Sequence, residues 1–239
     1  MIPKQIHYCW FGQKPPPRLV KRCMASWERH CPDYKLNCWD ETNASLKDNS
    51  YVRQAYQAGK WAFVSDYVRL KVLAEYGGIY LDTDVELVRP LDQYLCGDMF
   101  IGFESAKKVA TCVVGAAPGH PFIEHLVELY SARSFRTEDG RLDETTNVDY
   151  ITRELVKRGL CLNGARQQVE NISLYPTECF SCKSLETGKI TVTSNTAAIH
   201  HFQASWMSPR QRFHTKLAQW LGPQNTEQVK GFLGRYHDD

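Results

Sequence analysis

The run Gly77-Gly78-Ile79-Tyr80-Leu81-Asp82-Thr83-Asp84 limits this chain more than any other stretch. Two glycines make a tight turn, Ile79 to Leu81 read as a short buried strand, and two carboxylates one residue apart follow. In an extended segment, residues i and i+2 point to the same side, roughly 7 Å apart. Asp82 and Asp84 can therefore converge on one divalent cation, and hard oxygen ligands suit manganese or magnesium. A cation held there can in turn hold a diphosphate. Carboxylate pairs of this kind also end strands in solvent with no ligand, so the neighbouring residues decide.

Upstream, Ala62, Val64, Val68, Leu70, Val72 and Leu73 recur at helical spacing across residues 61–76, and Gly77 stands where such a helix stops. Asp66 and Arg69 share a face at i, i+3. Taken alone they read as a surface ion pair. On a helix that feeds straight into a metal-binding strand, they stand at the sheet edge where ligands bind, and can grip sugar hydroxyls and phosphate.

The block Ala62-x-x-Ser65-Asp66-x-x-Arg69, then Gly77-Gly78-x-Tyr80-x-Asp82-x-Asp84, resembles the DXD sugar-binding region of glycosyltransferase family 32. That family takes in bacterial capsular-polysaccharide transferases and is more distantly similar to large glucosylating toxins. Ile2–Gly12 looks like its opening strand, and Ile199-His200-His201-Phe202-x-x-Ser205-Trp206 resembles its closing His…Ser-Trp motif. The resemblance implies an α/β, GT-A-type fold: a mixed, mostly parallel sheet flanked by helices. It implies one domain over 1–239, with a catalytic core to about residue 206 and C-terminal helices beyond. The implied activity is retaining transfer of a hexosyl group from a nucleotide sugar, UDP-linked before GDP-linked, to a hydroxyl, with manganese or magnesium as cofactor.

Roles follow the same resemblance. Asp84 and Asp82 with His200 are the expected metal ligands, and Asp82 also serves the ribose. His200 and His201 are adjacent on a strand and so point to opposite faces, and the first fits the family pattern. Asp66 and Arg69 orient the donor sugar. Trp10 either stacks on the base or packs in the core; Tyr80 either contacts the donor or is a core tyrosine. Ser205 and Trp206 close over the diphosphate, the indole N–H of Trp206 aimed at the leaving oxygen. Asn147 reads first as a helix N-cap and second as a sugar contact. His7 packs under the first strand.

Composition sets the outer limits. With 239 residues the chain can bury one sizeable α/β core. No apolar run approaches the ~20 residues of a membrane span, and no signal-peptide pattern opens the sequence. A net charge of +2 gives no reason to propose nucleic acid. Nine scattered cysteines, odd in number, suggest reduced thiols in a cytoplasm. Cys179-Phe-Ser-Cys182 is a lone CxxC, read as ordinary thiols in preference to a zinc or redox site.

Strands are expected at 4–11, 34–39, from Gly78 into the carboxylates, 99–104, 111–116, 172–175 and 197–202. Helices are expected at 18–30, 50–58, 61–76, from Pro121 to about 132, and 147–158, with loops at 88–94 and 133–146. Phe213, Leu217, Trp220 and Leu221 share a face of a tail helix, with Arg210, Arg212 and Lys216 around them. Packing on the core is the first reading of that helix, and peripheral membrane contact the second. The expected setting is bacterial surface-polysaccharide synthesis at the inner membrane face, with an oligosaccharide or lipid-linked acceptor. The rivals are a toxin-like effector acting on a protein, and a metal-dependent phosphohydrolase. The last would need a nucleophilic Asp directly after the first strand, where this chain has none.

Overall fold

The computed structural model describes residues 1–184 and 187–203. Ser205, Trp206 and the tail segment with Phe213 and Trp220 lie outside the described residues. Among the described residues, nine strands and six α-helices run in the order β1 (Gln5–Cys9), α1 (Arg18–His30), β2 (Lys35–Trp39), α2 (Ser50–Gln57), α3 (Trp61–Tyr76), β3 (Gly78–Leu81), β4 (Val85–Leu87), β5 (Met99–Ser105), β6 (Lys108–Ala116), α4 (Pro121–Ser131), α5 (Asn147–Lys157), β7 (Gln167–Val169), β8 (Ile172–Tyr175), α6 (Thr177–Phe180) and β9 (Ala198–His200).

Seven strands form one sheet in the order β2-β1-β3-β6-β5-β8-β7, while β4 and β9 pair separately. The registers make β1, β2, β3, β5 and β8 run one way and β6 and β7 the other. The expected mixed, mostly parallel sheet is therefore present. Alternation along β3 splits the core. Tyr80 points into a cluster with α2, α3, α4 and α5, through Val52, Val64, Leu73, Ile123 and Ile151. Ile79 and Leu81 point into the opposite cluster with Trp27 of α1 and Phe180 of α6. Helices thus cover both faces, as a largely parallel sheet requires.

The turn into β3 needs both glycines. Gly77 has φ +61° and Gly78 φ +98°, a region that favours glycine. A Cβ on Gly77 would lie 2.6 Å from Pro118, and one on Gly78 2.6 Å from Gln5. His7 is buried beside this turn, its Nε2 2.9 Å from the carbonyl of Gly77 and its Nδ1 accepting from the indole of Trp39 at 3.0 Å. The expectation for His7 holds.

Three expectations need correction. The two aspartates are not on an extended strand: β3 ends at Leu81, and the N–H of Asp82 makes a last bond to Cys112 O at 2.9 Å. The chain then turns, Val85 N donating to Asp82 O at 3.0 Å, because β4 leaves the main sheet to pair with β9. Asn147 is not the cap of α5. Thr146 is, accepting from Asp149 N, and it also donates to the Asp149 carboxylate at 2.8 Å. The strand expected at 197–202 spans only Ala198–His200, and Phe202 has φ +53°. β4, β7 and α6, at three or four residues each, are too short to show a period.

Candidate active site

Parallel pairing brings the carboxyl ends of β1, β3 and β5 to one edge of the sheet, where open α/β sheets bind ligands. A cleft of about 530 Å³ opens there. Trp10 and Phe11 reach it from the end of β1, Asp82 and Asp84 from the turn after β3, and Glu104 from the end of β5. Trp61, Ser65, Asp66 and Arg69 enter from α3, Asn147 and Asp149 from the start of α5, and His200 from β9.

Arg69 is the hub of the floor. Its Nη2 lies 2.9 Å from Asp66 and 3.2 Å from Asp82, its Nη1 donates to Thr111 O at 2.8 Å, and its guanidinium sits 4.5 Å from the Tyr80 ring centroid. Arg69 is 4% exposed and Asp66 9%, so the pair is buried and the surface reading fails. The cause is position. α3 buries most of its circumference, Asp66 and Arg69 included, while Lys71 and Glu75 keep to its exposed strip. Burial pushes the Asp66 carboxyl up to about 6, although Arg69 pulls the other way.

Asp82, Asp84 and His200 form the second group. One ligand atom from each lies within 4.8 Å of the others. Asp84 Oδ1 is 3.4 Å from His200 Nε2, and Asp84 Oδ2 accepts from the backbone N–H of Gln203 at 2.7 Å. Burial disfavours the Asp84 carboxylate, but His200 outweighs it and brings Asp84 down to about 2. His200 itself is raised well above the ordinary histidine range, burial being outweighed by Cys112 and Asp84. Two carboxylates and an imidazole on one centre are a donor set that a divalent cation fits. His201 faces the other way, its Nε2 2.8 Å from Glu86, with Arg22 joining that carboxylate at 3.0 Å. The register expected for the two histidines is the one observed.

This geometry stands on a stretch with known relatives. Residues 17–101 match the family described as "Glycosyltransferase sugar-binding region containing DXD motif". That stretch is similar to the DXD glycosyltransferases. Inositol phosphoceramide mannosyltransferase 3 of Schizosaccharomyces pombe is 33% identical over 130 residues, 53% of this chain and 36% of that protein. Human alpha-1,4-N-acetylglucosaminyltransferase is 31% identical over 111 residues, 44% of this chain and 28% of that protein. The chain thus spans only about a third of the length of these curated relatives. Among solved structures, the PaToxG glycosyltransferase superposes with a TM-score of 0.51 at 20% identity, over 65% of this chain and 68% of that one. That likeness speaks for the fold, which is of GT-A type.

The other expected residues divide. Trp10 is half-buried on the cleft wall, not in the core, its Nε1 donating to Lys14 O at 2.6 Å. Tyr80 is 1% exposed under Arg69, a core tyrosine whose ring also borders the cleft. Asn147 is buried, donates to Asp66 O at 3.3 Å, and keeps Oδ1 without a partner among the described residues. All nine cysteines are free, and burial pushes the Cys179 thiol up to about 11, away from redox reactivity. Among the described residues no helix is long and apolar enough to cross a membrane.

Sequence reasoning passed over Trp61, Glu104, Lys108 and Asp149, all on the cleft. Glu104 carried a signal: it is the first charge in the apolar run Met99-Phe-Ile-Gly-Phe103, at the end of a strand parallel to β3.

Proposed function

We propose that this chain is a metal-dependent retaining glycosyltransferase, one domain over residues 1–239. It moves a hexosyl group from a nucleotide sugar, UDP-linked in preference to GDP-linked, to a hydroxyl of a lipid-linked oligosaccharide in bacterial surface-polysaccharide synthesis. The observation that carries the reading is the meeting, in one cleft, of the Asp82–Asp84–His200 group with the buried Asp66–Arg69 pair. A phosphohydrolase would use the first group and has no need of the second. A lipid-linked acceptor is supported by the relative whose name specifies inositol phosphoceramide. The expected place is the cytoplasm, at the inner face of the membrane, without nucleic acid as partner.

Asp84 and His200 would hold a manganese or magnesium ion, with Asp82 contributing directly or through the ribose. Such an ion supplies Lewis-acid stabilisation of the departing diphosphate. Arg69 fixes Asp66 and Asp82 against each other, so the donor sugar meets a preorganised acceptor and donor pair. Trp206 is assigned the hydrogen bond to the leaving oxygen and Ser205 a diphosphate contact, both from the family pattern. Departure and attack on one face of the sugar is the route that family pattern implies. The test is release of nucleoside diphosphate from a panel of nucleotide sugars, with manganese and with chelator. Release from none of them, or release indifferent to chelator, would overturn the proposal.

Two variants test the assignments. His200→Ala should raise the manganese concentration needed for half-maximal turnover at least about tenfold, because one of three ligands is lost. His201→Ala, which loses only a pair with Glu86, should leave that midpoint in place. The reverse pattern would move the ligand to His201.

Trp10→Ala should raise the donor KM about tenfold, since stacking on a base contributes roughly 1–3 kcal/mol. Trp10→Phe should recover most of the loss. A lowered melting temperature with unchanged nucleoside-diphosphate affinity would show instead that the indole serves only packing.

A further inference from the structure

We propose that the tip of the β5–β6 hairpin, with the Glu104 carboxylate as its hydrogen-bond acceptor, is where the hydroxyls of a sugar acceptor sit. This rests on the transferase reading above and names the wall of the cleft that reading leaves unused. Phe103 is buried, and Glu104 beside it, where the β5–β6 register shifts, lines the cleft. The carboxylate is half-buried, yet among the described residues it makes no hydrogen bond or ion pair. Lys108, across the hairpin tip and on the same cleft, is turned to Asp149 at 2.8 Å instead. A carboxylate on the cleft with open acceptor positions can take hydrogen bonds from water or from ligand hydroxyls.

A second observation points the same way. Asn147, 1% exposed, lines the same cleft with a buried carbonyl oxygen that no described residue satisfies. Both open acceptors suit hydroxyl donors. The side of the cleft follows from access. Ser105, Ala106, Lys107 and Lys108 at the hairpin tip are exposed, so this wall meets solvent, and an acceptor must enter from solvent beside a seated donor. Trp10, just after β1, and Trp61, at the start of α3, also line the cleft, and β3 and β6 separate β1 from β5 in the sheet. Carboxylate and amide acceptors select a polyol over the single hydroxyl of a serine or threonine side chain.

The experiment measures nucleoside-diphosphate release with manganese, using the nucleotide sugar that the parent protein hydrolyses fastest. Methyl glycosides of glucose, galactose, mannose and N-acetylglucosamine, and a serine- and threonine-containing peptide, are added in turn. The readout is the ratio of stimulated to unstimulated release, from which any change in donor turnover cancels. At least one glycoside is expected to stimulate the parent. Glu104→Ala should cut that ratio at least about tenfold through the glycoside KM, a charge-assisted bond being lost. Glu104→Gln, which keeps an acceptor oxygen, should lose less, and an unchanged melting temperature in both excludes misfolding.

Stimulation by the peptide alone, or by no glycoside, overturns the proposal. So does an intact ratio in both variants. A fall in unstimulated release with an intact ratio gives Glu104 to the donor sugar, as contact or nucleophile, and also overturns it. Failure of the parent to hydrolyse any nucleotide sugar would instead overturn the transferase reading, and this proposal with it.

Discussion

Asp84→Ala is expected to lower turnover at least ~10³-fold, the cost of deleting a strong electrostatic stabiliser. Asp84 does three things at once: it faces His200 at 3.4 Å, stands in the group able to bind a cation, and anchors the backbone of Gln203 at 2.7 Å. The alanine variant removes all three. Asp84→Asn separates them, because its amide oxygen can still accept from Gln203 while its charge is gone. Both should be nearly inactive, and the Asn variant should melt close to the parent. Turnover surviving in the Asn variant would mean that the carboxylate serves the closing segment and not the reaction.

The second large effect is on stability. Arg69→Ala should destabilise the fold by about 3–5 kcal/mol, because two carboxylates lose the buried charge between them. Asp66 bears most of it, being 9% exposed with a carboxyl already lifted to about 6 by burial against the pull of Arg69. A carboxyl raised in the folded state stabilises the fold below its unfolded value and gives that up as pH rises through the folded one. Without Arg69 the Asp66 carboxyl rises further. The stability deficit of the variant, measured by denaturant midpoints, should therefore shrink between about pH 8 and about pH 5, as Asp66 takes up its proton. Arg69→Lys should fall between, keeping charge but not the two-pronged contact. A deficit below ~1 kcal/mol, independent of pH, would mean that solvent screens the pair as at a surface.

Long periodic elements were legible in the sequence, and short ones were not. α1 and α3 run where spacing and their stop signals, Pro32 and Gly77, put them. β4 carries no period in three residues, and its pairing with β9 is a contact between residues more than a hundred positions apart. That pairing turns the chain at Asp82. The expected convergence of the carboxylates is therefore observed, though by a turn and not by strand alternation. The facing of His200 and His201 was readable, since alternation needs only that a strand exist. The burial of Asp66 and Arg69 was not, because a charged pair on a helix shows its face but not what packs on that face. Glu104 was missed for a related reason: it matters only once β5 is known to run parallel to β3 and to end at the same edge.

The central claim is that the cleft seats a nucleoside diphosphate through a divalent cation on Asp82, Asp84 and His200. Calorimetric titration of UDP and of GDP into the protein, with manganese and then with chelator, tests it without any acceptor. One of the two nucleotides should bind with manganese and lose at least about tenfold in affinity with chelator, since the cation carries the largest charge at the site. Equal affinity in both buffers, or no binding of either nucleotide, would contradict the account.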